Sequence, residues 1–141
     1  MTAAPPEAAS SNPNWVTKKA LLLLHEESLA EFGGARGVRD EGLLDSALAR
    51  PRNTLSYQSY QPQSALPDLA ASLGFGLARN HPFVDGHKRV SFLAIGLFLS
   101  INGLQLQADA VDAIRTILSL ASGELDESAL TSWIARNVAR K

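Results

Sequence analysis

From Val90 to Ile101 the chain carries no charged residue and only two hydroxyls, Ser91 and Ser100. A helix of that composition has no polar face, so protein must cover it on every side. Its twelve residues fall short of the roughly 20 needed to cross a bilayer. The stretch is therefore expected to be the buried central helix, about 86–102, of an all-α domain of about six helices. With 141 residues, 45% of them apolar, the chain can build one such domain with its own core.

The polar residues that precede this helix are unusually concentrated. Asn80-His81-Pro82-Phe83-Val84-Asp85-Gly86-His87-Lys88-Arg89 brings two imidazoles, a carboxylate, a glycine and two cations to one helix N-terminus. Pro82 biases His81 away from the helical region, so the chain is expected to be extended there. Phe83 reads as a core anchor that holds the loop still. Asp85 stands at the expected N-cap, with Gly86 opening the helix. The free N–H groups of Gly86, His87 and Lys88 and the macrodipole would then favour an anion. Lys88 and Arg89 add two full charges, and a guanidinium can grip two phosphate oxygens at once. An imidazole can act as general base, and one carboxylate can hold Mg²⁺ while phosphates supply further ligands. Each feature alone has a bland explanation: a cap, a solvated pair of cations, a loop histidine. Their convergence on one helix end points to phosphoryl or nucleotidyl transfer.

This motif resembles the signature of the Fic/Doc family, and Lys88 places it nearer the Doc (death-on-curing) branch than the adenylylating Fic branch. Phe32-Gly33-Gly34, Gly37-Val38-Arg39-Asp40, Leu43 to Pro51 and Phe98 to Gly103 are further landmarks of the resemblance, which runs from about Thr17 to Ala135. It implies a Fic/Doc-like bundle and a toxin of a toxin–antitoxin pair that uses ATP and Mg²⁺ to phosphorylate a threonine of elongation factor Tu and so stops translation. Carried over, His81 would be the base, Asp85 the metal ligand, and Gly86 and His87 part of the anion hole. Lys88 and Arg89 would bind the nucleotide phosphates. In Fic enzymes a glycine stands at the place of Lys88 and a second arginine at that of Phe92, which favours a kinase over an adenylyltransferase here. One departure is His87, where the family has asparagine. The alternatives are therefore a nucleotidyltransferase on the same site, or a catalytically weakened protein that still binds its antitoxin, a helical peptide lying in a groove.

Elsewhere the sequence is plainer. Thirteen basic against fourteen acidic residues give a net charge of −1 and no basic stripe for nucleic acid. The chain has no cysteine, which suits a cytoplasmic setting. Residues 1–14 lack the pattern of a signal peptide and read as a disordered tail before a domain at 15–141. Thr17 caps a helix that Gly33 ends, with Leu21 to Leu24 as its buried stripe. Asp40 caps a second helix that Pro51 stops. His25 reads as structural or surface, since no spacing ties it to the motif. A long connector follows, with Tyr57 and Tyr60 as candidate substrate contacts. Pro67 starts the helix that delivers His81. Asp109 with Asp112 forms a capping box. A last helix is expected from Asp126 through Val138, closed by Arg136, Arg140 and Lys141. The sequence shows neither strand alternation nor zinc-type spacing.

Overall fold

The structure, a computed structural model, describes residues 13–56 and 65–141. Most of the expected tail, and Tyr57 and Tyr60, lie outside the described residues. Within them the chain forms six helices and one two-stranded ribbon.

Thr17 opens helix α1 (Lys18–Phe32), its hydroxyl accepting from the Ala20 N–H at 3.1 Å, and Gly33 at φ 84° ends it. Of the expected stripe only Leu21 is fully buried, because consecutive helical residues point about 100° apart. The buried face is Leu21, His25, Ser28 and Leu29, and Leu23 faces outward. Asp40 caps helix α2 (Glu41–Ser56) through the Leu43 N–H. Pro51 does not stop it. Proline removes one backbone bond, and side chains on α2 still join it to the next helix. The Arg50 Nε donates to the Ser72 carbonyl, and the Thr54 and Ser72 hydroxyls meet at 3.1 Å.

Helix α3 (Leu66–Asn80) has Pro67 in its first turn and ten buried residues. Helix α4 (His87–Ser100) runs against it with six. The two form the centre, but α4 is not covered on every side: Leu93 remains at the surface. The close approach depends on Gly74. A Cβ there would lie 2.4 Å from the Ile95 Cδ1, and its carbonyl accepts from the buried Ser91 hydroxyl at 2.7 Å. Gly103 at φ 88° turns the chain after α4.

Strand β1 (Leu104–Leu106) then pairs antiparallel with strand β2 (Val138–Arg140), Leu104 facing Arg140 and Leu106 facing Val138. The ribbon replaces the end of the expected last helix. Helix α6 (Glu127–Arg136) stops at Asn137, so Arg140 and Lys141 are not helix-terminal cations, and the Lys141 Nζ donates instead to the Ser100 hydroxyl. Between them helix α5 (Ala110–Ser122) is capped by Asp109. Asp112 accepts from the Trp133 indole N–H at 2.8 Å, tying α5 to α6. Asn14 exchanges hydrogen bonds with Asn102 and the Ile101 carbonyl, which ties it to the end of α4. No helix among the described residues is long and apolar enough to cross a membrane.

Gly74→Ala should be costly, because Ile95 is fully buried and cannot swing away. Overpacking of this kind costs about 1–3 kcal/mol, readable as a lowered denaturant midpoint. Adding Ile95→Ala should give a double variant less destabilised than the sum of the two single changes. An additive result would show that the helices separate freely.

Candidate functional site

The polypeptide has only His81 to Gly86 in which to pass from α3 to α4. His81 takes the left-handed conformation, φ 50° and ψ 55°, and is the one non-glycine residue with positive φ among the described residues. Such a conformation is unfavourable for a residue with a Cβ and persists only where its surroundings impose it. Arg39 helps to impose it: its Nε donates to the His81 carbonyl at 2.7 Å and its Nη2 to the Asn80 carbonyl at 3.0 Å. The segment 37–40 also lies along the loop. The Arg39 and Asp40 N–H groups both reach the Pro82 carbonyl, and the Val84 N–H reaches Gly37. Phe83 is buried as expected and stacks on the His25 ring, with centroids 3.8 Å apart.

Asp85 does not cap α4. The N-cap is Gly86, in the left-handed conformation at φ 80°, and it supplies no side-chain bond. The Asp85 Oδ2 accepts instead from the Ala35 N–H at 2.9 Å, which turns the exposed carboxylate to the side of the helix end. The reason is geometric: glycine's φ lets the chain enter α4 one residue later, beyond reach of the Asp85 carboxylate. The helix therefore begins without a side-chain cap, and its first amides keep their pull on an anion.

Lys88 is exposed at this end. Arg89 is half-buried and partly engaged: its Nε donates to the Ser28 hydroxyl, its Nη2 donates to the Gly33 carbonyl at 2.8 Å, and the guanidinium lies over the Phe32 ring. Two cations at the positive end of a helix oppose its dipole unless an anion joins them. The His81 and His87 rings stack, with centroids 3.9 Å apart and planes 28° apart. Burial holds the His87 imidazolium below its ordinary range, the neighbouring His81 and Lys88 push the same way, and Asp85 opposes them. His81, His87 and Lys88 open onto one cleft of about 700 Å³, whose far wall is Arg115, Leu118, Ser119 and Glu124 of α5 and the turn after it. Among the described residues no three His, Cys, Asp or Glu side chains converge as a metal cage.

Of the six residues expected at the site, Gly86, His87 and Lys88 meet at the α4 terminus with His81 beside them. Asp85 stands at its flank, and Arg89 leans toward the end of α1. Sequence reasoning missed Arg39, His25, Ala35 and Arg115. Only His25 left a trace, as a histidine four residues after Leu21 on the buried face of α1. The others reach the site through tertiary folding alone.

The His87 environment is directly measurable. Its ring-proton titration by NMR should have a midpoint below 6.5, the ordinary value. His81→Ala should raise that midpoint without restoring it, since burial, the leading cause, remains. Because the unfolded chain then takes up the proton first, this group's contribution to stability is complete above the ordinary value and declines as pH falls through it. A midpoint at or above 6.5 would contradict the described packing.

Comparison with known proteins shows the family. The family model described as Fic/DOC family matches residues 15–99, which include the α3–α4 loop and most of α4. Toxin Doc of Mycolicibacterium smegmatis is 43% identical over 106 residues, covering 74% of this chain and 80% of that protein. Protein kinase doc of Escherichia phage P1 is 26% identical over 121 residues, covering 86% of this chain and 93% of its own length. The matched region spans more than half of the chain and carries the whole motif from His81 to Arg89, so this protein belongs to the Fic/Doc family.

Proposed function

We propose that this protein is a Doc-like toxin that transfers the γ-phosphate of ATP to a threonine or serine hydroxyl of a translation factor, elongation factor Tu, and so inhibits translation. The observation that carries it is the helix end without a side-chain cap, where free amides, Lys88 and an exposed imidazole face one cleft. A phosphate at the α4 terminus would answer both the dipole and the cations. His81, exposed beside that terminus, would accept the proton of the target hydroxyl as it attacks. Lys88 and Arg89 would hold the phosphate oxygens, Arg89 with whatever donors its bonds to α1 leave free. Asp85 suits Mg²⁺ in one respect that the fold displays: it is an exposed hard oxygen donor at the edge of the phosphate site, with no protein cage around it. Magnesium bound this way keeps waters and phosphate oxygens as its other ligands, and it would neutralise charge on the transferred group. The relative named Protein kinase doc supports a kinase over a nucleotidyltransferase.

The partner we propose is a cognate antitoxin with a helical segment. Val111, Ile114 and Leu118 follow one face of α5 and are 56%, 59% and 51% exposed. Ile114 and Leu118 border an apolar cleft of about 540 Å³ with Phe92 and Ile117, and Lys88 and Arg89 also line it. An amphipathic helix laid there would cover the apolar face and crowd the phosphate site.

Two measurements test these assignments. ATP labelled at the α- or the γ-phosphate, incubated with Mg²⁺ and purified elongation factor Tu, should transfer label from the γ position only. His81→Ala should reduce transfer by about 10²–10⁴-fold with an unchanged fold. Label from the α position would make the protein a nucleotidyltransferase, and label appearing only in His87→Asn would make His87 an inactivating residue. Ile114→Asp should weaken antitoxin binding by about 2 kcal/mol or more while leaving thermal stability near that of the parent, because the side chain is already exposed. Unaltered binding would place the antitoxin elsewhere.

A further inference from the structure

We propose that His25 is the positioning residue of the phosphate site, fixing the Asp85–Gly86 peptide so that the Gly86 N–H faces the anion. The inference rests on reading the α4 terminus as a phosphate site.

His25 comes from α1, sixty residues before Asp85, and is 3% exposed. Its Nε2 lies 2.7 Å from the Asp85 backbone carbonyl oxygen. A carbonyl oxygen only accepts, so the Nε2 carries the hydrogen. The ring is clamped on one face by Phe83, nearly parallel at 16°. The buried imidazole is therefore held by stacking and aims its donor at a backbone atom of the loop.

The consequence follows from peptide geometry. Among the described residues there are no cis peptide bonds, and in a trans peptide the C=O and the following N–H point in opposite directions. Drawing the Asp85 carbonyl inward toward His25 turns the Gly86 N–H outward, away from the core. Gly86 has no Cβ to set a preference, and its left-handed φ lies in a region glycine enters and leaves freely. The plane of this peptide therefore needs an external restraint, and His25 provides it. A Cβ at Gly86 would sit 3.4 Å from the Leu29 Cδ2 and 3.6 Å from the His25 Nε2, so the loop rests directly on these α1 side chains. Buried polar groups of this kind lose most when only one partner is removed.

Two substitutions separate positioning from packing. His25→Phe keeps the ring and its stack on Phe83 but removes the donor, whereas His25→Gln restores a donor at similar reach. The first readout is the N–H residual dipolar coupling of Gly86, which reports the orientation of that peptide without any ligand. It should change in His25→Phe, with the couplings of α4 preserved, and return toward the parent value in His25→Gln. The second readout is binding of ATP with Mg²⁺, expected to be about tenfold weaker in His25→Phe and largely rescued in His25→Gln. Were His25→Phe not to fold, His25→Leu would carry the same two readouts.

A Gly86 coupling unchanged in His25→Phe would overturn the proposal. So would equal loss of binding in the Phe and Gln variants accompanied by lowered stability, which would leave His25 a packing residue only. A parent protein that binds nucleotide but transfers no phosphate would sink the kinase assignment while leaving the His25 result intact. A changed coupling with unaltered nucleotide binding would overturn the phosphate role of Gly86 and this proposal with it.

Discussion

The site depends on one constraint: two tightly packed helices are joined by a very short link. Helices α3 and α4 touch where Gly74 meets Ile95, and that closeness fixes where α3 must end and α4 begin. The chain between them can turn only by placing His81 and Gly86 in the left-handed conformation. Glycine takes that conformation freely, but histidine does so only under restraint. The restraint is the Arg39 guanidinium, which binds the Asn80 and His81 carbonyls together. A tight core and a strained imidazole are thus two ends of one geometric problem.

The electrostatics follow from the same turn. Entering α4 through Gly86 removes Asp85 from the capping position and leaves the helix N-terminus without a side-chain cap. The sequence then adds Lys88 and Arg89, which the dipole disfavours. Arg89 answers part of this by donating to the Gly33 carbonyl at the end of α1, where the dipole is negative. Lys88 has no such relief and remains exposed on the cleft shared with His81 and His87. The positive charge at this end of the molecule is the feature on which the proposed phosphate site rests.

The segment after α1 and the buried face of α1 act as a mould for the loop. Ala35 holds the Asp85 carboxylate, Gly37 to Asp40 bond its backbone, and His25 holds the Asp85 carbonyl. The candidate site residues are contiguous, but the groups that orient them come from about 40 to 60 residues earlier in the chain. Such an arrangement keeps the loop in one shape at the end of a helix whose body is locked in the core.

Much of this was legible in the sequence, for identifiable reasons. The caps Thr17, Asp40, Asp109 and Asp126 and the stop Gly33 are local devices, so their positions follow from residues within one turn. The concentration of His81, Asp85, Gly86, Lys88 and Arg89 at one helix start is likewise local, and it marked the candidate site. What the sequence could not decide involves partners far along the chain. The β1–β2 ribbon pairs residues more than thirty positions apart, so Val138 looked helical until Leu106 met it. The helix beyond Pro51 persists because α3 holds it, and Asp85 gave up its cap because Gly86 and Ala35 together redirected it. His25 offered no spacing to the motif, yet it lies 2.7 Å from the loop. The sequence by itself determined where most of the helices start and gathered the candidate site residues at one helix end, because both are encoded by neighbours. Tertiary structure alone decided how those residues point, because orientation is set by atoms that only folding brings near.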